Sequence, residues 1–125
     1  MGTPADGRGI LSPMHRLYLG LAFLIMLIGV VHLGATTQLF DELNSRALWF
    51  ASGGLLLILT GALNLLNRAH GAIIRDLRWM TVATNVVMTI FAAVAGVVGA
   101  ASGAQLAVIV SILAATTFVS LRPRA

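Results

Sequence analysis

The chain has no cysteine and no lysine, and only four carboxylates among its 125 residues. Without cysteine there can be no disulfide, thiolate nucleophile, iron–sulfur cluster or Cys-based zinc site. The acids are Asp6, Asp41, Glu42 and Asp76, and all lie outside the long apolar runs. No carboxylate pair is therefore offered at depth for acid–base chemistry. Charge of either sign is scarce, at 10% of residues. A soluble domain carries about a quarter, because it must present a wet surface. The mean hydropathy of +0.96 makes the same point, and lipid is the solvent it implies.

All of the basic charge belongs to eight arginines, which fits a GC-rich bacterial genome. A net charge of +4 suggests nucleic acid at first sight. No basic patch interleaves with aromatics, however, and the arginines flank apolar runs, so they read as topology signals.

Four apolar stretches of spanning length lie at about 14–34, 47–67, 78–98 and 104–121. Their cores, 17–33, 47–66, 79–98 and 105–121, contain no Asp, Glu, Lys or Arg. Soluble bundle helices need a polar face, which these lack. Connections as short as 99–103 favour antiparallel neighbours. The expected fold is an all-α integral membrane protein, an antiparallel four-helix transmembrane bundle over 14–121. A disordered Gly- and Pro-bearing segment precedes it at 1–13, and a basic tail follows at 122–125. The first span could be mistaken for a cleaved signal peptide. Its apolar stretch is longer than a usual signal core, and Leu33 suits the third position before a cut poorly, so it reads as an uncleaved helix.

Direction comes from arginine placement. Arg8, Arg16, Arg68, Arg75, Arg78, Arg122 and Arg124 fall on one side of such a bundle and only Arg46 on the other, seven against one. The side rich in arginine faces the cytoplasm, which places both termini inside. A bias this large also disfavours the inverted pairing of proteins that insert both ways. The expected location is a bacterial inner membrane, multi-pass, with no nucleic-acid partner.

In lipid, helices associate through small residues and hydrogen bonds. Seams of this kind are Tyr18, Ala22, Ile25, Gly29 and His32 in the first span and Gly53, Leu57, Thr60, Gly61, Asn64 and Asn67 in the second. The third offers Thr81, Asn85, Met88, Ala92 and Gly96, and the fourth Gly103, Ala107, Ser111 and Ala115. Thr60, Asn64, Thr84, Asn85, Ser111 and Thr116 are the candidates for either a polar cavity or interhelical hydrogen bonds. Asn64 bonding to Asn85 or Thr84 is the simpler account.

His32 is the titratable group inside a span, and intramembrane ionisable residues are candidates for function. With Asp41, Glu42 and Gln105 it forms a candidate ligand or proton site near the outer boundary. A cation bound by His32, Asp41 and Glu42 is a further reading, although their spacing matches no metal motif. A haem held by two histidines needs both at one depth, and His32 has no histidine partner at its level in one chain. The Asp41–Arg46 stretch, with Leu39, Phe40 and Leu43, reads as a short amphipathic turn, with Asn44 or Ser45 capping the second helix. Residues 67–80 carry a helix stop at Gly71 and an arginine cluster suited to anionic head groups.

The ALWF of 47–50 followed by GGLLLILTGALNLLNR resembles small bacterial inner-membrane proteins in helix number and style, which implies no activity. Four-helix multidrug exporters of similar length use a glutamate inside the first span, and this span has none. No nucleophile–base pair, phosphate loop or metal motif appears. The expectation is therefore a non-enzymatic accessory or structural subunit with no cofactor. It would self-associate or join a larger membrane complex. The alternative is a small transporter or channel using a polar layer in the cytoplasmic half of the bundle, where Asn64, Asn67, Thr81, Thr84, Asn85, Thr116, Thr117 and Ser120 fall, and a haem or metal-binding protein stands behind both.

Overall fold

The computed structural model describes residues 12–99 and 101–122. The disordered segment expected at 1–13 lies outside it as far as residue 11, as does the tail at 123–125. The described residues form four helices and no strand: α1 Pro13–Leu39, α2 Ser45–His70, α3 Arg75–Val98 and α4 Gly103–Leu121. All four are long and apolar enough to cross a membrane.

Local chemistry sets most boundaries. Ser12 caps α1 through its side chain to the His15 N–H, with Pro13 in the first turn, where its missing N–H is harmless. Asn44 caps α2 by accepting from Ala47 N at 3.0 Å. Ser102 caps α4 in a reciprocal box with Gln105, whose Oε1 accepts from Ser102 N at 3.1 Å. α1 outruns its expected end at residue 34. Nothing in Gly34–Leu39 breaks a helix, and Thr37 bonds back to the Gly34 carbonyl at 2.9 Å. The connection to α2 is thereby cut to residues 40–44. At 27 residues α1 is about 40 Å long, more than the roughly 30 Å of bilayer hydrocarbon, so it tilts or protrudes.

The helices pack as two intimate pairs, α1 with α2 and α3 with α4, joined through α2·α3 and α1·α4. A core cluster takes one residue from each helix: Ile25, Leu57, Met88 and Leu113. Along the first pair, Gly54 lies against Gly29, and Gly61 lies against Ala22 and Met26. Farther along the same pair, Tyr18 meets Asn64 and Asn67. Large apolar side chains such as Phe23, Leu27, Leu59, Val87 and Ile90 are exposed around the outside, as lipid contact requires.

The fourth helix differs from expectation. Gly103, Ala107, Ser111 and Ala115 are all exposed, and Leu113, Thr116, Val119 and Ser120 are buried instead. α4 is apolar nearly all round, so its own periodicity cannot choose the inward face. The inward face is the one on which Ser120 accepts from Asn85 of α3, at 3.3 Å.

Candidate functional site

A layer of hydrogen-bonded side chains crosses the bundle near the starts of α1 and α3 and the ends of α2 and α4. Asn64 and Asn85 form a reciprocal amide pair, Asn64 Nδ2 donating to Asn85 Oδ1 at 2.7 Å and Asn85 Nδ2 to Asn64 Oδ1 at 2.9 Å. Asn64 Nδ2 also reaches the Thr60 carbonyl at 2.8 Å. The Tyr18 hydroxyl donates to Asn64 Oδ1 at 2.8 Å and accepts from Asn67 Nδ2 at 2.8 Å. Asn85 Nδ2 extends the network to Ser120 Oγ at 3.3 Å, and Ser120 donates to the Thr117 carbonyl at 2.7 Å. All four helices contribute, and Asn64 and Asn85 are fully buried. Such a layer fixes rotation and register, because sliding one helix by a residue would strand amides in hydrocarbon.

The buried threonines of the layer need no partner helix. Thr60, Thr81 and Thr116 each donate to a carbonyl four residues earlier, at 2.7 Å. Thr84 is half-buried, and Ser111 is exposed on the outward face of α4, away from the network. Below the amides lies a small notch of about 10 Å³, lined by Tyr18, Asn67, Gly71, Arg78, Ser120 and Arg122 among others. It admits about one water, and neither Asn64 nor Asn85 lines it.

His32 lies toward the other end of the bundle. Its ring stacks on Phe50 of α2, centroids 3.8 Å apart and planes 16° from parallel, with Phe40 tilted against Phe50 at 5.8 Å. Gly53 lies beside it, and a Cβ there would stand 3.4 Å from His32 Nε2, an ordinary van der Waals contact. Asp41 and Glu42 are exposed in the connection, and Gln105 is taken up in its capping box. Among the described residues no group of three or more His, Asp or Glu side chains is placed to hold a metal ion.

Of the network residues, Asn67 and Ser120 belong to the polar layer read from sequence, whereas Tyr18 is read there only as part of the α1 seam. Its spacing with Ala22, Ile25 and Gly29 was the available signal, since that seam carries its hydroxyl inward. No local pattern announces the stacking of Phe50 on a histidine 18 positions earlier.

Fold and site together define an all-helical, multi-pass membrane protein whose helices are joined by a buried amide–tyrosine network. No family model, curated protein or solved structure matches this chain.

Proposed function

We propose that the chain is a non-enzymatic structural or accessory component of a bacterial inner membrane. It is an antiparallel bundle with both termini cytoplasmic, and it associates with further copies or with a larger complex. The observation that carries this reading is the reciprocal Asn64–Asn85 pair. A solute pathway through the polar layer would leave these amides facing water, whereas here they satisfy each other. The exposed row Gly103, Ala107, Ser111 and Ala115 supports the association, since small residues every fourth position allow a close helix partner in lipid. Orientation rests on the arginine bias of seven to one.

The cysteine-free sequence makes orientation directly testable. A single cysteine placed by Glu42→Cys should react with a membrane-impermeant maleimide in intact cells, whereas one placed by Ala72→Cys should react only after permeabilisation. The reverse pattern rejects the orientation. Native mass spectrometry of the mildly solubilised protein should show more than one copy, or stable partner subunits. Ala107→Leu with Ser111→Leu should shift a self-associated form to the monomer. Specific solute flux in liposomes, lost on Asn85→Leu while the fold persists, would reject the structural reading in favour of transport.

A further inference from the structure

The arginine-lined notch and the outer surface of α3 and α4 meet at one residue, Arg122. Arg78 and Arg122 both line the notch together with Asn67 and Ser120, and no carboxylate is among the lining residues. Just past the end of α4, the Arg122 guanidinium lies over the Phe118 ring, 4.8 Å from its centroid. Phe118 lines a second feature, an open and almost wholly apolar groove of about 300 Å³ between α3 and α4, with Val86, Ile90, Ala114 and Leu121. Arg122 therefore borders the polar notch and, through its contact with Phe118, the rim of the apolar groove.

From this juxtaposition we infer that the α3–α4 face is a binding site for one anionic glycerophospholipid. Its phosphate would lie between Arg78 and Arg122, and one acyl chain would fill the groove. The notch has room for about one water, so a single phosphate oxygen enters while the rest of the group stays at the mouth with the guanidinium donors. The described residues near this end, Arg16, Arg68, Arg75, Arg78 and Arg122, are opposed only by Asp76. A zwitterionic head group would bring an ammonium toward them, and an anionic one does not. Free phosphate would satisfy the arginines but leave the groove unexplained, and a second copy of the chain would cover the groove but bring only like charge to the mouth.

Native mass spectrometry from detergent micelles supplemented with phosphatidylglycerol or phosphatidylcholine tests the inference. Each arginine near a charged surface contributes roughly fivefold, so phosphatidylglycerol should be retained at least about tenfold better. Arg78→Gln with Arg122→Gln should bring the two lipids to near equality, while the paired lysine variants keep the preference. Ala114→Trp, which fills the groove from a surface position, should lower retention of phosphatidylglycerol with the arginines intact. Undiminished preference in the glutamine variant overturns the proposal. So does inorganic phosphate that raises thermal stability as much as the lipid, with Ala114→Trp silent, because the site is then one for a free anion. Loss of a dimer in Ala114→Trp without any loss of bound lipid assigns the groove to a second copy and also overturns it. Copy number and bound lipid are read in one spectrum, so this outcome is separable from failure of the association proposed above.

Discussion

Asn64→Leu is expected to destabilise the bundle by about 2–4 kcal/mol, the largest effect of any single polar substitution here. Asn64 makes four of the network's hydrogen bonds: two with Asn85, one from Tyr18 and one to the Thr60 carbonyl. Individual interhelical hydrogen bonds in membranes contribute only about 0.6 kcal/mol on average, with a maximum near 1.7. The greater part of the loss comes from what remains behind. The Asn85 amide and the Tyr18 hydroxyl would each be buried without the partner that Asn64 supplies. A double-mutant cycle with Asn85→Leu makes the point quantitative. The double variant should cost about 1–2 kcal/mol less than the sum of the singles, because it removes both halves of the amide pair. Unfolding in mixed micelles, followed by the fluorescence of Trp49 and Trp79, provides the measurement. Strict additivity would mean that the two amides are not coupled, and the register-setting role of the layer would fall.

The second large effect is expected at the α1–α2 seam. A Cβ on Gly29 would stand 2.7 Å from the Gly54 carbonyl oxygen and 2.9 Å from the Ile58 backbone N, and one on Gly54 would stand 2.8 Å from the Gly29 carbonyl oxygen and 2.9 Å from Leu33 N. These are backbone atoms, which cannot rotate aside as the end of a side chain can. Gly29→Ala and Gly54→Ala should therefore force the helices apart and cost about 1–3 kcal/mol each. The two should be strongly non-additive, since the first substitution already opens the gap for the second. Gly20→Ala is the control, because nothing lies within 4 Å of a Cβ there, and its stability should change by less than about 0.5 kcal/mol. In lipid, apolar burial supplies little net drive between helices, so close approach and its dispersion contacts hold this pair together. Equal effects at Gly20 and Gly29 in the same unfolding assay would contradict that account.

The number of helices and their approximate ends could be read directly, because spanning lengths of uncharged residues admit few other structures. The cap of α2 was also legible, where Asn44 stands beside the helix start. The α1 terminus was less so. Two threonines and a glutamine look like loop composition, yet Thr36 and Thr37 bond to carbonyls of their own helix and let it continue. Ala22, Ile25 and Gly29 announced a buried seam through their spacing, as did Gly61 and Asn64 on α2. On α4 the same kind of spacing points to a seam at Gly103, Ala107, Ser111 and Ala115, yet the structure turns those residues outward.

The polar residues show where local pattern stops. That Asn64 and Asn85 sit at similar depth follows from counting along two helices at about 1.5 Å per residue. That they face each other within 3 Å, with Tyr18 and Ser120 completing the layer, depends on the rotation of four helices about their axes. Composition and arginine order decide that the chain enters a membrane and which way it is expected to run, because transfer of charge into hydrocarbon is costly at any rotation. Tertiary packing alone decides which amides pair, which face of α4 meets lipid, and that Arg122 stands between a polar notch and an apolar groove. Those are properties of surfaces formed only when separate helices meet.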